Sequence, residues 1–195
     1  MRRRTQALVL TVGWLPQLAM AHTMQGMGKF YGGMLHPLTV PHQTLALLVF
    51  ALLVGQGGVR AMRFADSAFL ITLTIGLVMA GSELSLGIPP QTVLLSMATG
   101  CGLLVALQWS PPPWLYIVLG GALGLVIGAD SSMDGYSPGD TIIALMGCWM
   151  GTVLCLILVA GVVEPLHRPW QRIAVRVLGS WGTASAMLVL AMALR

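Results

Sequence analysis

The side chains in this sequence best suited to chemistry are imidazoles and thioethers gathered near its beginning. His22, His36 and His42 share the stretch 22–42 with Met24, Met27 and Met34. Neutral imidazole is a ligand for Ni, Cu and Zn, and thioether sulfur favours Cu(I). Two carboxylates extend the set. Glu83 follows Gly81-Ser82, and Asp130 closes the apolar run that begins at Trp114. An acid at the end of such a run is costly unless it meets a partner or a cavity. The expected metal ligands are therefore His22, His36, His42, Glu83 and Asp130. For Glu83 and Asp130, a plain boundary acid is the competing interpretation, and for His36 and His42 an interfacial polar residue. Gln43 and Gln56 are polar positions within one apolar run, 13 residues apart, and suit one path at two depths or simple interhelical hydrogen bonding.

These residues must be positioned by helices that meet lipid. Of 195 residues, 56% are apolar and only 8% are charged, and the mean hydropathy is +0.85. A soluble domain carries about 25% charged residues. The sequence predicts an all-α, polytopic membrane bundle with about six transmembrane helices, over 41–57, 67–82, 92–109, 114–129, 141–163 and 173–194. Pro89-Pro90, Pro111-Pro112-Pro113 and Pro165 to Pro169 punctuate the gaps, and Trp109, Trp114, Trp170 and Tyr136 sit near span ends, where amphipathic rings favour the interface. Pro41 is placed to open the first helix, with His42 in its first turn.

Ahead of the spans, Arg2-Arg3-Arg4, a short apolar stretch and Ala19-Met20-Ala21 have the form of a secretory signal peptide over 1–21. Cleavage there leaves His22 as a mature N-terminus on the periplasmic side, its amine and imidazole able to chelate one cation. The residues 22–40 then form a periplasmic metal-capture segment ahead of a single transmembrane domain. The basic residues agree with this orientation. Arg60, Arg63, Arg168, Arg172 and Arg176 fall on the cytoplasmic side, against Lys29 and Arg195 outside. Glu83, Asp130, Asp134 and Asp140 fall outside with the three early histidines, whereas Asp66, Glu164 and His167 fall inside.

Several function classes are disfavoured. The net charge of +4 reflects topology, with no basic recognition face for nucleic acid. Cys101, Cys148 and Cys155 lie inside apolar runs without a CxxC pair, so no disulfide framework is expected. Gly120, Gly124 and Gly128, and Gly147 with Gly151, are GxxxG patterns that mark close helix contacts, not a phosphate loop. No catalytic triad, P-loop, dinucleotide fingerprint or HExxH occurs, and no enzyme activity is expected. An intramembrane metal-dependent hydrolase ranks last among the readings.

The stretch His22-Thr23, then Phe30-Tyr-Gly-Gly-Met-Leu-His36-Pro37, then a polar-tipped first span resembles the HupE/UreJ family of small nickel permeases and accessory membrane proteins. That family's first-span motif reads HPxxGxDHxLAM, and the segment from His36 to Leu47 shares His36, Pro37, Leu45 and Ala46 with it. Around Pro41-His42-Gln43 the motif's aspartate is lost, and the His-rich HGxAHG motif is absent, which makes this a divergent member. The resemblance implies a permease of the cytoplasmic membrane that carries Ni2+ or a related ion, with no tightly bound cofactor. The methionines bring in copper as a competing ion. The second reading is a non-transporting accessory protein that hands copper or nickel to a metalloenzyme or metallochaperone.

Overall fold

The computed structural model describes residues 28–82, 87–132 and 135–193. Among them there are seven helices: α1 (Lys29–Thr39), α2 (Pro41–Gln56), α3 (Gly58–Gly81), α4 (Pro90–Ala106), α5 (Pro113–Ala129), α6 (Pro138–Val163) and α7 (Pro169–Ala193). Every helix from α2 onward except α3 opens on a proline. Proline fits there because a first-turn N–H has no intrahelical acceptor and the fixed φ is already helical. The leader expected over 1–21 and the residues His22, Met24, Met27, Glu83 and Asp134 lie outside the described residues.

α3, α6 and α7 are long and apolar enough to cross a membrane, at 24, 26 and 25 residues. α1 and α2 together meet the same test as a pair bent by 75°. α4 and α5, at 17 residues each, are about 26 Å long, close to the short limit for a hydrocarbon layer of about 30 Å. Ile71, Val78, Leu158, Val162 and Leu188 are each more than 60% exposed, an outward apolar surface that suits lipid and not water.

Two segments differ from the sequence-based expectation. The second span opens at Gly58, not at residue 67. Arg60, Arg63 and Asp66 do not end the helix, since long charged side chains at a span end can reach the interface while the backbone stays helical. The segment 22–40 was expected to precede the bundle, yet its part from Lys29 to Thr39 is a helix packed along α6. Two glycines and a proline make α1 a poor helix by propensity, and tertiary contact supplies what propensity lacks. Gly147 lies against the Phe30 carbonyl, Gly151 against the Met34 carbonyl, and Gly33 against the Ala144 carbonyl.

α2 occupies the centre and contacts all six other helices. Leu47, Phe50, Leu53 and Val54 are at most 1% exposed, and Phe50 stacks on Phe69 with centroids 6.4 Å apart. Around it, α3 and α5 interlock in steps of four. A Cβ placed on Gly120, Gly124 or Gly128 would lie 2.5–2.6 Å from the carbonyl oxygens of Ala65, Phe69 and Leu73. α4 meets α7 the same way, at Gly102 and Gly179 beside Thr183. Arg176 donates through Nε to the Ala106 carbonyl at 2.8 Å, so this basic residue also caps the end of α4.

The close approach of α3 and α5 sets a test. Gly124→Ala forces the backbones apart and is expected to cost about 1–3 kcal/mol as overpacking. Gly100, with nothing within 4 Å of an added Cβ, should tolerate alanine or gain up to about 1 kcal/mol. Unfolding of the two purified variants in detergent checks the contrast, and equal stability would refute the packing account.

Candidate metal-binding site

The site forms where the first span breaks. Pro41 cannot donate a backbone hydrogen bond, and it drives the residue before it out of the helical region. Val40 is accordingly extended, at φ −93° and ψ 109°. Pro41 has no N–H to give the Pro37 carbonyl, and a hydroxyl meets it; hydroxyls also back up the backbone bonds to Val40 and His36. Thr44 Oγ1 donates to the carbonyls of Pro37 at 2.9 Å and Val40 at 3.0 Å, and Thr39 Oγ1 donates to that of His36 at 2.9 Å. His36 therefore sits in the last turn of α1, while His42 and Gln43 sit in the first turn of α2.

Asp130 reaches this break from the end of α5. It caps that helix with φ −82° and ψ −3°, followed by the buried Ser131, whose hydroxyl donates back to the Ile127 carbonyl at 2.7 Å. The Oδ2 atom of Asp130 accepts from His42 Nε2 at 2.8 Å and from Gln43 Nε2 at 2.7 Å. The side chains of His42 and Asp130 are 19% and 17% exposed, and Gln43 is fully buried. A carboxylate this sheltered requires partners, and it has two donors on one oxygen.

This arrangement leaves lone pairs available. With Nε2 donating to Asp130, the neutral His42 ring carries its lone pair on Nδ1, the geometry by which a carboxylate orients a metal-binding imidazole. His36 Nε2 and Gln43 Oε1 are shielded from solvent and have no hydrogen-bond partner among the described residues. His36 also lies in the neighbourhood of Asp130 and His42. Two imidazoles, a carboxylate and an amide oxygen thus gather at one end of the bundle. Such a mixed N/O set suits a borderline divalent ion such as Ni2+. Among the described residues no three His, Cys, Asp or Glu side chains already stand at the spacing of a closed metal centre. The break thus holds a hydrogen-bonded pair, His42 and Asp130, together with two unpartnered polar atoms on His36 and Gln43.

Of the sequence-predicted ligands, the structure brings His36, His42 and Asp130 to the same break. His22 and Glu83 lie outside the described residues. Gln43, noted in the sequence only as a polar interruption, proves to be the second donor to Asp130. Its signal was a polar residue beside a histidine in an otherwise apolar run. At the same end, Lys29 lies 4.0 Å from Asp140 and over the Tyr136 ring, also at 4.0 Å, tying the start of α1 to the start of α6. His167 lies in the turn between α6 and α7, away from this break.

The family described as HupE / UreJ protein matches residues 9–190, nearly the whole chain. The chain belongs to the HupE/UreJ family. No curated protein and no solved structure gives a significant match. The family and the outward apolar surface together indicate a membrane location.

Asp130 and Gln43 should be energetically coupled. Hydrogen bonds to charged groups contribute about 1.5–3 kcal/mol, and the partner left behind in a buried site loses more. A double-mutant cycle with Gln43→Leu and Asp130→Asn, followed by unfolding in detergent, should return a coupling of about 1 kcal/mol or more. Strict additivity would show that the contact carries no stability.

Proposed function

We propose that this HupE/UreJ family member is a permease of the cytoplasmic membrane that takes up a transition-metal cation, Ni2+ or a related ion, and that it is not an enzyme. The observation that carries the reading is the Asp130 carboxylate shared by His42 and Gln43 at the broken first span, where His36 Nε2 and Gln43 Oε1 are left without partners among the described residues. The mature N-terminus and this end of the bundle face the periplasm, in keeping with the distribution of arginines.

In this reading the ion arrives hydrated and exchanges water for His36 Nε2, His42 Nδ1 and oxygen donors. Asp130 neutralises part of its charge and holds the His42 ring in the ligating tautomer. His22 and Glu83, also on the periplasmic side by the sequence, would assist capture at the mouth. A broken helix is the element that transporters use for such sites, since it exposes side chains and backbone acceptors at membrane depth without unpaired groups facing lipid. α1 and α2 both advance along α6 in its own direction, Phe30 to Met34 against Gly147 to Gly151 and Gly55 against Ala160. The pair is therefore one broken span. The movement is passive or coupled to an ion gradient, since the sequence carries no ATP motif.

One observation favours the second reading, an accessory protein delivering copper or nickel to a metalloenzyme. Below Gln43 the centre of α2 is closed by Leu47, Phe50, Leu53 and Val54, with no polar residue buried between them. A permease must open that column, whereas a metal-delivery protein need not. Uptake therefore separates the two.

Nickel and copper accumulation, measured by elemental mass spectrometry in metal-limited cells, should rise for one metal on expression of the wild type. At matched expression, His36→Ala and Asp130→Asn should each lose most of that rise, about tenfold or more for a ligand of a metal site or the group that orients it. If neither metal responds to the wild type, the permease reading fails; stable association with a metalloenzyme would then support the accessory role.

A further inference from the structure

α3 and α5 interlock by glycine steps that begin at Gly120 against Ala65. One turn before that, between their first turns, they leave a cavity of about 190 Å3, lined by Gly57, Arg60, Phe64, Ser110, Pro113 and Tyr116 among others. One water needs roughly 10–15 Å3 by the same measure, so there is room for a phosphate group with a small polar substituent. Tyr116 is buried and packs its hydroxyl against Gly57, which closes the floor.

The charge on this lining is of one sign. Arg60 is exposed at the wall, no carboxylate lines the cavity, and Arg60 has no ion-pair partner among the described residues. Its guanidinium is a planar fork of donors matched to phosphate oxygens. Ser110 offers a hydroxyl beside it. α5 opens at Pro113 without a side-chain cap, so the partial positive charge of its N-terminus adds to that of Arg60.

The outer side of the same cavity is apolar and faces lipid. Phe64 lies four residues beyond Arg60, and Ser67 and Ile71 continue that face of α3. Phe64 and Ile71 are both exposed. Trp114, also exposed, stands in the first turn of α5, where an indole favours the membrane interface. A cationic recess thus runs directly into an apolar strip.

We propose that this recess binds the headgroup of an anionic phospholipid, its phosphodiester on Arg60 and Ser110 and its acyl chains along the Phe64–Ile71 face of α3. Basic pockets between membrane helices hold anionic headgroups in this way. A zwitterionic lipid would bring its own cation to a lining that offers no anion, so the charge selects a headgroup such as phosphatidylglycerol. The bound lipid fills the one turn of the α3–α5 contact that the glycine steps leave open. Its place in the cytoplasmic leaflet rests on the orientation proposed above; the site itself does not rest on the permease reading.

The test is native mass spectrometry of the purified full-length protein in detergent, titrated with phosphatidylglycerol and with phosphatidylcholine. The wild type should hold phosphatidylglycerol the more tightly. Arg60→Gln should weaken that binding by about tenfold, the loss of one hydrogen-bonded charge. Ser110→Glu, which sets a like charge beside the phosphate, should weaken it in the same direction. Arg168→Gln, at the same end of the bundle but outside the recess, should leave it unchanged. Ser110 is exposed, so its substitution tests the recess even where loss of Arg60 disturbs the fold. Equal loss in all three variants, or loss in neither of the first two, would overturn the proposal, since the arginines would then act only as a general positive surface. Equal binding of phosphatidylcholine would overturn it as well. Displacement of the lipid by inorganic phosphate at matched concentration would assign the recess to a free anion and overturn the lipid. Metal accumulation is a separate readout, so failure of the permease reading leaves this pattern standing, and the reverse.

Discussion

A single carboxylate oxygen joins two distant parts of this chain. Asp130 Oδ2 accepts from His42 and from Gln43, which lie 88 and 87 residues away in sequence. Moving an ionised carboxylate out of water is expensive, and an unpartnered one at the end of an apolar helix would be strongly destabilising. With two donors on it, the charge becomes a fixed point that holds the end of α5 against the start of α2. His42 and Gln43 can both reach it because Pro41 has already set their helix in its first turn. The break at Val40, the Thr44 hydroxyl that satisfies the freed Pro37 carbonyl and the polar cluster are thus parts of one solution to a buried charge.

That solution needs a bundle tight enough to hold its geometry. Glycine steps on α5 against carbonyls of α3, and on α6 against carbonyls of α1, bring backbones closer than any side chain would permit. In lipid, apolar surface gives little drive for helix association, so close van der Waals approach must supply it. The same packing encloses α2 on all sides. Enclosure has a functional corollary, because the apolar stretch from Leu47 to Val54 separates the polar groups at the two ends of that helix. On the permease reading this dry centre would be the barrier that an ion must cross between the two ends.

Much of this was legible in the residues. Pro41 marked the start of α2, apolar runs gave the approximate span limits, and the GxxxG patterns of 120–128 and 147–151 marked two close helix contacts. His36, His42 and Asp130 could be singled out because polar groups are rare in such a sequence. What could not be read is pairing. Nothing local tells Asp130 that its partners are His42 and Gln43; that depends on which helices adjoin. The start of α3 was misplaced because charged residues at a membrane boundary do not report where a helix begins. α1 was missed for a related reason, since its glycines weaken a lone helix and are also the surface by which tertiary contact stabilises it.

The placement of Asp130 also bears on how a divergent family member can keep a site. The HupE/UreJ resemblance implies a first-span motif with both histidine and aspartate, and around Pro41-His42-Gln43 the aspartate is lost. A motif comparison alone would count this as a missing ligand. In register with His36-Pro37 and Leu45-Ala46 the motif's aspartate and second histidine fall on His42 and Gln43, and in three dimensions both of these residues meet a carboxylate delivered from α5, Asp130. The requirement on the site is for a negative charge within hydrogen-bonding reach of a neutral imidazole, and that requirement does not specify the helix that supplies it. Moving the acid to a neighbouring helix has one further consequence. A carboxylate on the same helix moves with its histidine, whereas Asp130 and His42 belong to elements that can shift relative to each other. Any motion between α2 and α5 would make or break the contact that orients the His42 ring, so on the proposed reading affinity for a cation would be coupled to the relative position of the two helices.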